Sequence, residues 1–178
     1  MPAGGATGRW PYRDSYRGPA PLFWQFRAGE RRTGVSLHVV DRGADTGSVI
    51  AQQSVPFPDG IDTAGAETLT AHAGARLLAE WLAGGKTVGP SPPAQGAFRN
   101  PTPAAAARVI PATWPVRRAF NFIRGAQAWG PFEIETGEGR VTVHHAVAMD
   151  EAASLGAPHR TSGTDVLVQF PDGVLLAR

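Results

Sequence analysis

Apolar and polar positions follow different periods in different parts of the chain. Residues 21–27, PLFWQFR, form a dense apolar cluster after the turn Arg17-Gly18-Pro19, and they predict a short buried helix that starts at a proline and ends at Gly29. Residues 34–40, GVSLHVV, are β-branched and apolar over a strand's length, and residues 49–57 predict a second strand broken at Pro56. The clearest helical period runs over residues 62–84. There Leu69, Ala73, Leu77 and Trp81 recur every four positions beside Leu78 and Leu82, with Asp62 or Thr63 to cap the start and Gly84-Gly85 to stop it. His72 sits beside that stripe and reads as a partly exposed or core-edge histidine rather than a ligand.

Beyond Gly85 the pattern is lost. Residues 86–114 are rich in proline and alanine, show no amphipathic period, and read as a linker or extended crossover. Periodicity returns with a helix expected over residues 115–125, followed by strands expected at 132–135, 140–148, 165–170 and 174–177. Turns are expected at Gly137-Glu138-Gly139 and Pro171-Asp172-Gly173. One helix and several short strands suggest a small barrel or sandwich. The expected organisation is a disordered stretch at 1–9, an α/β unit at 10–85, a linker at 86–114 and a β-rich domain at 115–178.

Composition narrows the functional classes. With 178 residues and 42% hydrophobic positions the chain can bury a sizeable core, while 22 Gly and 16 Pro raise the loop content. No apolar run reaches membrane-spanning length and MPAGGATGRW has no apolar stretch, so neither a membrane span nor a signal peptide is expected and the expected location is cytoplasmic. The absence of cysteine excludes disulfides, thiolate nucleophiles and cysteine metal sites, and no metal is expected. A net charge of +2, with Lys86 the only lysine, does not by itself imply nucleic acid.

Candidate chemistry lies in the loop after Val40. In an α/β unit, ligands bind at loops beyond the carboxyl ends of parallel strands. That loop, Asp41-Arg42-Gly43-Ala44-Asp45-Thr46-Gly47, holds two carboxylates, a hydroxyl and two glycines. Glycines let a backbone approach a ligand, and a carboxylate there orients an imidazole or takes up a proton. The same composition also serves a plain turn between strands.

Thr33-Gly34-Val35, His38, Asp41-x-Gly-x-Asp45-Thr46-Gly47 and Ile50-Ala51-Gln52 together resemble the second signature of the formyltransferases that use 10-formyltetrahydrofolate. Tyr16-Arg17-Gly18-Pro19-Ala20-Pro21-Leu22-Phe23-Trp24 is similar to the segment after that family's Asn-x-His-Pro-Ser motif, at matching spacing. Residues 118–125, with Trp129 and Pro131, resemble the start of the C-terminal domain of the methionyl-tRNA branch and related formyltransferases. The resemblance covers residues 16 to about 148. It implies part of a doubly wound, Rossmann-like catalytic domain followed by a small open β-barrel of the oligonucleotide-binding (OB) type.

The family reaction moves a formyl group from folate N10 to a substrate amine through a tetrahedral oxyanion. An Asn and a His stabilise the oxyanion and move protons, and an Asp holds that His. Asp45 matches the Asp and is the expected catalytic residue. His38, Asp41, Gly43, Thr46, Gly47, Arg17 and Gly18 are the expected substrate or folate contacts. By spacing, the family's His-Pro-Ser falls at Arg9-Trp10-Pro11 and its Asn at Thr7; no Asn precedes Asn100 and no His precedes His38. The expectation is therefore a chain corresponding to the C-terminal part of such an enzyme, cut short and inactive as given. Its expected donor is 10-formyltetrahydrofolate without a metal, and its expected acceptor is initiator methionyl-tRNA, with an amino sugar or another small amine as the alternative. A non-catalytic binding remnant is the reading from another class. Expected tRNA contacts are Arg108, Arg117, Arg118, Arg124, Arg140 and Arg160. No membrane partner is expected, and self-association through an exposed sheet edge is.

Overall fold

The computed structural model describes residues 16–40, 42, 47–84 and 100–178. Helix α1 is Pro21–Ala28, with proline in its first turn and Gly29 in the left-handed conformation at φ 80° just past its end. Gly29 N–H bonds to Phe26 O and Glu30 N–H to Gln25 O, which satisfies carbonyls of the last turn. Strands β1 (Arg32–His38) and β2 (Val49–Pro56) follow, and then the long helix α2 (Thr63–Gly84). Asp62 caps α2 as expected: its carboxylate accepts the Gly65 N–H at 2.7 Å.

β1 and β2 form an antiparallel pair, and among the described residues no third strand joins them. The cause is the connection: ten residues between His38 and Val49 are too few for a parallel crossover, which needs about a dozen or more. The strand also ends two residues earlier than its apolar run, leaving Val40 87% exposed. One face of the pair packs under α2, where Val35 approaches Gly74. The helix buries Ala66, Ala73 and Leu77, whereas Leu78 and Leu82, on the same apolar period, are exposed.

After Asn100 the chain forms a 3₁₀ turn (Ala105–Arg108), the two-residue strand β3 (Val109–Ile110) and helix α3 (Val116–Gly125). Strands β4 (Phe132–Thr136) and β5 (Gly139–Val143) complete a three-stranded sheet in which β3 runs parallel to β4. A second, antiparallel sheet has the order β6 (Ala146–Asp150), β9 (Gly173–Ala177), β8 (Asp165–Phe170), β7 (His159–Ser162). The single strand expected at 140–148 is two strands. His144 and His145 both turn their N–H groups to Arg178 O, so the backbone leaves one sheet there and enters the other.

α1 and α3 share one core. Phe122 is fully buried, with the rings of Phe23, Trp114 and Phe132 edge-on at 5.2, 5.7 and 5.2 Å, and Phe26 stacks on Phe57 at 4.5 Å. Ile110 and Trp114, inside the stretch that composition suggested as linker, are buried in the same core. No helix among the described residues is long and apolar enough to cross a membrane.

Candidate functional site

Side chains alternate along a strand, so Gly34, Ser36 and His38 lie on the face of β1 opposite Val35 and α2. That face forms one wall of a cleft of about 250 Å³, and Tyr16, Arg17, Gly18 and Pro21 line the other. Arg17, Gly18 and His38, which the sequence picked out in two separate motifs, thus come together. Tyr16, Pro21 and Gly34 stand in those motifs without having been expected as contacts, and Ser36 was not singled out; the period of two running back from His38 would have found Gly34 and Ser36.

Each wall is held in place. Tyr16 OH donates to Glu30 Oε1 at 2.8 Å, and Gln52 Nε2 donates to Ser36 Oγ across the hairpin at 2.8 Å. The register slips between Leu37 and His38, with Ile50 of β2 as the extra residue, so β1 itself keeps its alternation through His38. His38 Nδ1 lies 2.9 Å from Val39 O. A carbonyl oxygen only accepts, so Nδ1 carries the proton in this contact and Nε2 of the neutral ring is left as an acceptor.

Val39 on one side and Gly47-Ser48 on the other close on each other as a neck at the end of the hairpin. Val39 N–H donates to Ser48 O at 2.9 Å, and Gly47 is buried so close to Val39 that an added Cβ would fall 1.7 Å from Val39 O. Only glycine fits there. Arg42 is exposed. Asp41, Gly43, Asp45 and Thr46 lie outside the described residues, as do residues 1–15 and 85–99. Among the described residues, no group of three or more His, Asp or Glu side chains could hold a metal ion.

Electrostatics of the remainder centre on the polar side of α3. Arg117 makes a two-pronged ion pair with Glu151, at 2.9 and 2.7 Å, and also contacts Asp59. Asn121 Nδ2 donates to Asp59 Oδ1 at 2.9 Å while its Oδ1 accepts the Gly60 N–H at 2.7 Å. Arg118 donates to Arg27 O and lies 3.8 Å over the Trp114 ring, and burial lowers the pKa of both arginines from the ordinary guanidinium value. Arg124 is bonded to Gly60 O and Ala146 O, Arg108 to Trp129 O, and Arg140 to Glu133 and Glu135. Five of the six arginines read from sequence as tRNA contacts therefore hold the protein's own groups. Arg160, on β7, is exposed.

The Asn121 amide first, and Arg117 after it, hold the Asp59 carboxyl below the usual carboxylate range, although partial burial works the other way. A carboxyl whose folded pKa is depressed contributes stability above its unfolded value and loses it as pH falls through the folded one. Asp59→Asn should therefore lower stability at pH 7 and shrink the loss between pH 5 and pH 2. Urea denaturation of both proteins across that range checks this; equal acid losses would remove Asp59 from the account.

Comparison with known proteins adds the family. The formyl transferase family model matches residues 14–81, which contain the cleft, the hairpin and most of α2. The chain belongs to the formyltransferase family. Methionyl-tRNA formyltransferase from Pelobacter propionicus is 30% identical over 164 residues, covering 90% of this chain and 51% of the relative. The Pelotomaculum thermopropionicum enzyme of the same name is 35% identical over 144 residues, covering 79% and 46%. The chain thus spans about half the length of the curated relatives it matches. An N-formyltransferase from Helicobacter canadensis, solved with folinic acid and dTDP-3-aminofucose, superposes with a TM-score of 0.64 at 14% identity over 92% of this chain and 61% of its own. At that identity the formyltransferase likeness speaks for the fold, an α/β arrangement.

Proposed function

We propose that this chain supplies the donor-side cleft of a 10-formyltetrahydrofolate-dependent formyltransferase, and that Asp45, in the sequence between β1 and β2, is its catalytic carboxylate. The observation that carries the reading is the meeting of Arg17, Gly18 and His38 in one cleft, with Asp45 seven positions beyond His38 in sequence. Arg17 has the charge to meet a folate carboxylate or the developing oxyanion. His38 Nε2 and the Ser36 hydroxyl have the polarity to orient the donor. Asp41, Gly43, Thr46 and Gly47 complete the contacts in this reading. Residues 10–85 are the catalytic-domain part, and residues 115–178 an OB-like domain behind it.

Methionyl-tRNA is the acceptor we favour, because relatives of that name match most of the chain, the β-rich part included. An amino sugar is the second reading. It draws on the engagement of Arg108, Arg117, Arg118, Arg124 and Arg140 inside the protein, which leaves little free charge for a phosphate backbone.

Chemistry sets the test. In this sequence no Asn precedes Asn100 and no His precedes His38, so these 178 residues do not themselves hold the pair that the resemblance implies for the oxyanion. Folinic acid is expected to bind the chain, and incubation with 10-formyltetrahydrofolate and either acceptor is expected to give no formyl transfer. No folinic acid binding at millimolar concentration would sink the donor reading. Transfer abolished by Asp45→Ala would instead show that this chain is a working catalyst.

A further inference from the structure

Asn100 and Pro101 lie beyond the stretch matched by the family model, yet they pack on the wall of the cleft. Asn100 N–H donates to Arg17 O at 2.7 Å, and its Nδ2 approaches the same oxygen at 3.5 Å. Trp24 Nε1 donates to Pro101 O at 2.9 Å. A Cβ on Gly18 would fall 2.2 Å from Asn100 O, so the two backbones are in direct contact, and Gly18 stands at φ 133°, a conformation that side-chain-bearing residues rarely adopt. The β1 wall is braced by its ladder with β2, whereas residues 16–20 belong to no helix or strand. Their conformation depends on what packs against them, and what packs against Arg17 and Gly18 is a segment 83 positions further along.

From this geometry we infer that Asn100–Pro101 is a positioning element for the cleft. It fixes the distance between the Arg17-Gly18 wall and the Gly34-Ser36-His38 face, and so sets affinity for the formyl donor. The inference rests on the donor reading given above. Its physical basis is preorganisation: a wall already ordered by the strap does not have to be ordered by the ligand, and that saving appears as affinity. Linkage makes the effect reciprocal, so a bound donor slows opening of the strap.

The test uses the full chain with folinic acid as probe, and two variants that loosen the strap by different routes. Trp24→Phe removes the donor to Pro101 O and keeps an aromatic ring beside Phe23. Asn100→Pro removes the N–H that bonds Arg17 O. Trp129→Phe, a change of the same size on another aromatic neighbour of Phe23, is the control for general loosening of the core. Both strap variants should bind folinic acid roughly three- to tenfold more weakly, the worth of about one hydrogen bond, and exchange amide hydrogens faster over residues 16–20. The control should do neither. Affinity within twofold of wild type in both variants, with faster exchange over residues 16–20, would overturn the inference. If the wild-type chain takes up no folinic acid, the donor reading falls separately and exchange decides alone. Faster exchange confined to residues 16–20 then keeps the strap as what fixes that wall, and unchanged exchange removes it.

Discussion

Phe122→Ala is expected to destabilise the protein by about 3–5 kcal/mol, a large share of the total that holds a domain of this size together. The ring is fully buried, and its three edge-on partners come from α1 (Phe23), from the stretch before α3 (Trp114) and from β4 (Phe132). Removing it takes away the transfer free energy of the ring and leaves a hole between elements that each have other partners, so the walls cannot simply collapse inward. The half carrying the cleft and the β-rich half should weaken together, because one ring serves both. Urea denaturation followed by tryptophan fluorescence, and separately by folinic acid binding, should give one midpoint shifted by the same amount. A loss below about 1 kcal/mol, or two separated midpoints, would show that the halves do not share this core.

Gly47→Ala should have the largest effect on ligand binding. The new Cβ would lie 1.7 Å from Val39 O and 2.7 Å from its carbonyl carbon, distances no carbon atom sustains, so the two sides of the loop neck must part. Parting them breaks the 2.9 Å bond from Val39 N–H to Ser48 O and shifts the Val39 carbonyl on which His38 Nδ1 rests. Folinic acid affinity should fall at least about tenfold, equivalent to about 1.4 kcal/mol. The thermal midpoint should move less than in Phe122→Ala, since the neck lies at the end of the hairpin, away from that core. Unchanged affinity in a folded Gly47→Ala protein would mean that the neck does not set the cleft.

Local chemistry explains what could be read from the chain in advance. Pro21 and Gly29 bracket α1 because each acts on its own backbone, and Asp62 caps α2 for the same reason. The 140–148 run read as one strand because its β-branched residues continue across His144-His145; the break is imposed from a distance by Arg178 O. Strand β7 passed unnoticed because His159, Arg160, Thr161 and Ser162 are polar and mostly exposed, with no alternation to detect. In the site, the Arg17-Gly18 and His38 motifs were readable one by one. Their meeting, and the Asn100 strap, depend on contacts between residues far apart in sequence, which no local period encodes. The arginines teach the same lesson: Arg117 sits 58 positions from Asp59 and 34 from Glu151, so counting charges could not reveal that this one was already committed.

The strand order of the second sheet bears on how the chain acquires its shape. β9 lies between β6 and β8, with Leu175 fully buried, so the strand latest in the described sequence is an interior one. During synthesis β8 and β7 can pair as a hairpin, but β6 has no neighbour in its sheet until residues 173–177 have left the ribosome. Until then β6 and one side of β8 are open edges that can pair with another chain. The sheet thus stays open on both sides of the place β9 takes until that strand is available.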